Sequence, residues 1–128
     1  MDKVKLKEFL CEMMDGDQKY RGMIRNLNSA DLNYEVIRDS LWSLQEEIDD
    51  QNTRKLIAFT KEYGFPYPTR TGIPEPVWLI FHHATEKYHQ DIKPLLQKEL
   101  EAQRIGKAEY SLILWNVNGR TGQPFSFN

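Results

Sequence analysis

The chain has a single cysteine, Cys11. A lone thiol cannot close an internal disulfide, so no cross-link holds the fold and no oxidising compartment is implied. With Leu10 and Met13 beside it and no His or Asp motif around it, Cys11 reads as a small core residue and not a nucleophile. Long apolar runs are missing as well. No window approaches the roughly 18 residues that a membrane span requires. The start, Met1-Asp2-Lys3-Val4-Lys5-Leu6-Lys7-Glu8-Phe9, is charged throughout and has no signal-peptide apolar segment. These absences predict a cytoplasmic chain with no membrane partner.

Neither sign of charge dominates: 17 basic and 19 acidic residues leave a net charge of −2. Binding phosphate backbones needs a basic surplus on one face, and Arg70, Arg104, Lys107 and Arg120 are scattered, so nucleic acid is not an expected partner. Gly-rich phosphate loops, Gly-x-Ser-x-Gly, His-Glu-x-x-His and Cys-x-x-Cys do not occur, and no cofactor is expected.

What the chain does have is length and aromatic content. Its 128 residues suit a single domain, 1–128, and such a chain buries about two-thirds of its unfolded surface. Three Trp, six Tyr and six Phe supply bulk for a packed core.

Helical periodicity dominates the pattern. Leu6, Phe9, Leu10 and Met13 predict a first helix ending near Met14. Asp15-Gly16-Asp17 reads as a break, with Asp17 as N-cap of a second helix to about Leu27 whose stripe is Tyr20, Met23, Ile24 and Leu27. Asn28-Ser29 is the next break, and Ser29 the next N-cap candidate. A long helical stretch follows from Ala30 toward Tyr63, lined by Leu32, Val36, Leu41, Leu44 and Ile48, then by Leu56, Phe59 and Tyr63. The polar run Asp49-Asp50-Gln51-Asn52 between them predicts a break or kink; the alternative is one helix carrying polar side chains through its inner stripe. Gly64 suits a helix C′ position, and Pro66 follows where a helix cannot continue. Residues 65–74 hold three prolines and predict a stiff loop.

A nearly all-apolar helix is predicted from Pro76 to Ile92, with Pro94 interrupting or restarting it and Leu95, Leu96 and Leu100 carrying it on to Arg104. Ala108 to Trp115 fits a short helix or a buried strand. Asn118-Gly119 predicts a hairpin turn between about Leu114 and Phe127. The fold class expected is therefore mainly α: a compact bundle of five or six helices with a small C-terminal β-hairpin.

The central helix carries the candidate chemistry. His82, Glu86 and His89 are spaced i, i+4, i+7 on one face, a pattern that can bind a divalent metal. Without further ligands the same pattern describes a solvated polar face, so no metal is expected and these three residues are the minor alternative. His83 points about 100° away, where an imidazole either bonds a backbone carbonyl or serves as acid, base or ligand contact. Asp17 and Arg21, at i, i+4, make an ordinary exposed helical pair unless both point toward His83.

Several fragments together resemble a bacterial family known only as a domain of unknown function, number 6624. They are Asp17-Gln18-x-x-Arg21, Asp50-x-Asn52-x-x-x-Leu56, Glu62-Tyr63-Gly64-Phe65-Pro66, Gly72, Trp78-Leu79-Ile80-Phe81-His82-His83-Ala84 and Gln123-Pro124-Phe125. The resemblance spans about residues 17–128. It places His83 on the family histidine and His82 where relatives carry glutamine. It implies a site built from Asp17, Arg21, Asn52, His83 and Gln123. Two departures stand out: no Asp-Arg pair precedes the end, and the family's closing Tyr-Gly-Thr is replaced by Phe125-Ser126-Phe127.

Two functions compete at this point. One is a non-catalytic ligand- or protein-interaction module with a polar pocket around His83, rimmed by residues 65–74, its partner an unknown small molecule or protein. It is favoured because no recognised nucleophile or metal constellation exists. The other is a small hydrolase or transferase acting on a phosphorylated or nucleotide-like substrate. There His83 is acid or base, Asp17 orients it, and Arg21, Asn52 and Gln123 hold the ligand.

Overall fold

A computed structural model describes residues 2–122. Six α-helices run in the order α1 (Lys3–Arg25), α2 (Tyr34–Tyr63), α3 (Pro68–Thr71), α4 (Trp78–His82), α5 (His89–Glu101) and α6 (Lys107–Val117), with a 3-10 turn at Glu86–Tyr88. The class is mainly α, and no strand occurs among the described residues.

The expected C-terminal hairpin does not form where its first strand was placed. Leu114 to Val117 belong to α6, and Asn118-Gly119 caps that helix through the Asn118 and Gly119 amides, which donate to Leu114 and Asn116. An Asn-Gly pair fits a helix C-terminus as well as a hairpin, because both need positive φ at the glycine (85° here). The second strand and Gln123 fall at or beyond the end of the described residues.

α1 and α2 form an antiparallel pair. Phe9 stacks on Phe59 with ring centroids 5.5 Å apart, Asn52 Nδ2 donates to the Met13 carbonyl at 2.8 Å, and Gln45 meets the backbone of Tyr20. The break expected at Asp15-Gly16-Asp17 is absent, since α1 passes straight through it. Gly16 serves packing instead: a Cβ there would lie 3.0 Å from Ile48 Cγ2, so its absence lets the two helices approach.

The kink expected at residues 49–52 is also absent. α2 is continuous for 30 residues, about 45 Å at the usual rise. Gln45, Asp49, Asn52 and Thr53 are buried along its inner face, so the weighed alternative, an interior polar layer, is what the fold adopts.

The predicted helix from Pro76 to Ile92 is replaced by two helices with a break at residues 83–85. The carbonyls released there are captured from elsewhere. Asn116 Nδ2 donates to Phe81 and Ala84 carbonyls at 3.2 and 3.1 Å, and Arg120 Nη2 donates to that of His82 at 2.9 Å. Those capping groups sit some thirty residues downstream, which local periodicity cannot register. Pro94, expected to interrupt, lies inside α5. The stretch of residues 65–74 folds as α3 and its flanks, with Arg70 donating to the Phe65 and Tyr63 carbonyls.

The core gathers Leu10, Met13 and Met14 of α1, Leu56 and Ile57 of α2, Phe65, Ile73 and Val77 of the connecting segment, Ile80 and Phe81 of α4, Ile92, Leu95 and Leu96 of α5, and Ile113 and Val117 of α6. Each such side chain contributes roughly 1.5–3 kcal/mol on burial. Cys11 is not among them. It is part-buried, and its Sγ donates to Glu75 Oε1 at 3.3 Å, a contact that raises the thiol pKa.

The distal end of the α1–α2 pair is bare. No residue between Asp17 and Gln45 is buried. Leu32 (102 %), Val36 (70 %), Ile37, Leu44 and Met23 are exposed. Of the expected apolar stripe, Leu32, Val36 and Leu44 are exposed and Leu41 is half-buried, and none of the four joins the core among the described residues.

Candidate functional site

The long helices set Asp17 and Asp49 opposite each other across their interface, and α4 brings His83 to the same place. Asp17 is 1 % exposed on the inner face of α1. His83 follows the last residue of α4, with its amide tied to the Leu79 carbonyl. His83 Nδ1 lies 2.9 Å from Asp17 Oδ1.

The other oxygen, Oδ2, accepts from Gln18 Nε2 at 2.8 Å, and Arg21 Nη1 lies 3.5 Å from Oδ1. Burial alone would raise the Asp17 pKa. The hydrogen bond and charge of His83, with Gln18 and Arg21, outweigh it and bring the pKa below the usual carboxylate value. An ionised carboxylate only accepts, so the shared proton sits on His83 Nδ1. When neutral, the imidazole then presents Nε2 as a lone-pair acceptor.

Behind this dyad lies a second polar layer. Arg21 grips Asp49 with both terminal nitrogens, at 2.8 and 2.5 Å, and donates to the Asp17 carbonyl at 2.7 Å. Gln45 Nε2 donates to Asp49 Oδ1 at 2.9 Å and to the Gly16 carbonyl at 3.0 Å, while its Oε1 accepts from the amides of Tyr20 and Arg21. The Arg21 guanidinium also lies 5.7 Å from the centroid of the Trp42 ring. The whole assembly fixes Asp17, and Asp17 fixes His83.

Of the residues singled out from sequence, Asp17, Arg21 and His83 meet around one carboxylate. Asn52 sits elsewhere on the interface, with its amide bonded to Met13, and Gln123 lies outside the described residues. Asp49 and Gln45 are not among the expected site residues, and Gln18 entered only as part of the resembling fragment. Their signal was present: Gln45, Asp49 and Asn52 recur at i, i+4, i+7 and share a helix face.

The His82, Glu86, His89 face depended on an unbroken helix and does not form. His82 Nδ1 donates to the Leu112 carbonyl at 3.1 Å, His89 Nε2 donates to that of Ala84 at 3.1 Å, and Glu86 is exposed on the 3-10 turn. No group of three or more His, Cys, Asp or Glu side chains among the described residues is placed to hold a metal ion.

An open cavity of about 720 Å³ lies on the α1 side of the dyad, but neither Asp17 nor His83 lines it. Its walls include Gln18, which holds Asp17, Leu79 one turn before His83, and Lys19, Glu75 and Pro76. Residues of the 65–74 segment line a separate groove of about 330 Å³ with Lys3, Leu6 and Phe59.

His82 stands next to the dyad, its ring centroid 5.5 Å from that of His83. Burial is the largest influence on it, and the neighbouring His83 and Arg120 charges add to it. They hold its pKa below the ordinary imidazole value against the opposing Leu112 bond. No helix among the described residues is long and apolar enough to cross a membrane. No protein-family model, curated protein or solved structure matches this chain.

Proposed function

We propose that the chain is a small acid–base enzyme, a hydrolase or transferase in which His83 Nε2 takes a proton from water or a substrate hydroxyl and Asp17 holds the imidazole in the required tautomer. The observation that carries this reading is the 2.9 Å contact between His83 Nδ1 and an almost wholly buried Asp17. A base whose second nitrogen is oriented by a third group is the recurring arrangement of general-base catalysis. Burying a carboxylate is costly unless it is paired and hydrogen-bonded, and here Oδ1 holds one partly exposed imidazole (side chain 19 % exposed) while Oδ2 accepts from Gln18. Arg21 supports the dyad from behind in this reading; its terminal nitrogens already hold Asp49, so anchoring of a substrate anion falls to other groups. The kinship with the bacterial domain family numbered 6624 and a cytoplasmic setting belong to the same proposal.

The test has two parts. Long-range nitrogen NMR of the imidazoles should find His83 protonated at Nδ1 and bare at Nε2 when neutral. A panel of chromogenic acyl and phosphoryl esters should include one whose turnover falls on the order of a hundredfold in His83→Gln. Turnover that survives that substitution on every ester hydrolysed, or a wild type inert to the whole panel, counts against the reading.

A second reading rests on a different observation. The bare distal end of α1–α2, with Val36, Ile37 and Leu44 exposed, suits a protein-interaction module. Ile37→Asp with Leu44→Asp should then abolish partner capture or self-association, seen by sedimentation, and leave the melting temperature nearly unchanged. If sedimentation finds no assembly and no partner for the wild type, this reading fails.

A further inference from the structure

Resting on the acid–base reading, we infer that the substrate is an anion carrying a flat aromatic ring, of the nucleoside monophosphate class, held on a shelf formed by Trp78, His82, Trp115 and Arg120.

The shelf adjoins the dyad. The His82 ring has the Trp78 ring on one side, with centroids 5.5 Å apart, and the Trp115 ring near-parallel to it at 6.0 Å and 21°. All three side chains are partly exposed. Aromatic faces with exposed area are stacking platforms for bases and other flat rings, a contact that tolerates many ring chemistries.

Arg120 supplies the charge. Its backbone adopts φ 58°, a left-handed conformation unfavourable for a side chain of this size. The Trp115 carbonyl accepts its amide at 2.8 Å, and the buried Asn116 accepts from its Nε at 2.8 Å. Its Nη2 bonds the His82 carbonyl, and its guanidinium carbon lies 4.9 Å from the Trp115 ring centroid. Every one of these partners is neutral. Among the described residues no carboxylate pairs with Arg120, and its Nη1 has no hydrogen-bond partner. Arg21, Arg38, Arg54 and Arg104 each pair with a carboxylate, whereas Arg25, Arg70 and Arg120 are held by neutral acceptors; of these three only Arg120 stands beside the aromatic shelf. A cation positioned by neutral groups beside exposed aromatic rings is available to an incoming anion. A neighbouring guanidinium also disfavours a metal ion at His82 and favours a ligand of negative charge.

The chemistry that follows is attack at the anionic group. His83 Nε2 accepts a proton from the attacking water or hydroxyl, whose oxygen forms the new bond to phosphorus while the ester P–O bond breaks. The leaving oxygen carries away the electron pair and takes a proton from solvent. Arg120 holds the non-bridging oxygens.

Binding is tested apart from turnover. Adenosine monophosphate, adenosine and inorganic phosphate are titrated into the full chain, followed by tryptophan fluorescence and by the imidazole signals of His82. The monophosphate should bind saturably and roughly tenfold more tightly than adenosine. Arg120→Gln should erase that advantage, Arg120→Lys should retain part of it, and Trp115→Leu should weaken both ligands. Equal affinity for the monophosphate and adenosine, or an advantage that survives Arg120→Gln, overturns the inference, as does absence of saturable binding. Turnover of an ester that depends on His83 but is indifferent to Arg120→Gln and Trp115→Leu overturns it while leaving the acid–base reading intact. Binding that follows the Arg120 series, with no turnover of any ester, upholds the ligand class and removes the catalytic reading.

Discussion

Asp17→Ala is expected to lower the folding free energy by about 3–5 kcal/mol, the usual cost of removing one member of a buried ion pair. The loss comes less from the vanished attraction than from what is left behind. His83 Nδ1–H, Gln18 Nε2 and part of the Arg21 guanidinium lose an acceptor on the inner face of α1, where water does not reach Asp17. Asp17→Asn keeps the volume and one acceptor oxygen and should cost less, but its amide offers hydrogen atoms where donors already point. Urea denaturation of both variants measures the difference. A loss under about 1 kcal/mol for the alanine variant would mean that the site is hydrated and the dyad is not held as described.

The same residue sets part of the pH profile. The Asp17 pKa is lowered in the folded chain, so the native state binds fewer protons than the unfolded one as pH falls. Its contribution is complete above the unfolded value of about 3.9 and fades as pH drops through the folded value. His82 is also depressed, chiefly by burial. Because its folded pKa is also the lower one, the sign is the same: the unfolded chain protonates first, and stability declines below about 6.5. Stability should therefore fall in two acid steps, the upper removed by His82→Asn and the lower reduced by Asp17→Asn, with the Asp50 carboxylate, its pKa also lowered by Lys87, supplying the rest.

How much of this was legible in the sequence follows from where each signal lies. The helical class and much of the core could be read, because Leu10, Met13, Leu56, Ile80 and Phe81 sit on local stripes whose period survives folding. The end of α2 could be read from Gly64 and Pro66. The continuity of α1 could not. Asp15-Gly16-Asp17 carries real breaker chemistry, but Gln45, from another helix, hydrogen-bonds the Gly16 carbonyl and the Tyr20 amide at that point. Tertiary contact overrode local preference, and the helix tolerates a glycine because Ile48 occupies the space a side chain would need. The polar layer of α2 was mistaken for a break for a related reason. Asp49 among apolar stripes looks like a solvent-facing turn until Arg21 is known to cross to it. The break after His82 depends on Asn116 and Arg120, so it lay beyond any window short enough to show periodicity. The meeting of Asp17, Arg21 and His83 was suggested by fragment resemblance and not by spacing, since 66 residues separate Asp17 from His83.

The other large effect is expected at the far end of α2, where the chain turns out of the helix. Glu99, buried in α5, accepts the Phe65 amide at 2.5 Å and binds Arg104 through its second oxygen. The residue before Phe65 is Gly64, at φ 85° and ψ 164°, a conformation essentially confined to glycine. The extended exit it allows is what lets the Phe65 amide point at Glu99. Glu99→Ala should cost about 2–4 kcal/mol, because it orphans a buried backbone N–H and releases the arginine that closes the turn. Gly64→Ala should cost about 1–3 kcal/mol by strain. A Cβ there would also stand 2.8 Å from Arg104 Cδ and Nε, so the arginine must move. Both substitutions disturb the same Arg104 contact, and their combination should cost less than the two measured separately. Strict additivity in a denaturation cycle would show that the turn and the Glu99–Arg104 pair act independently, and that Gly64 is required for its backbone conformation alone.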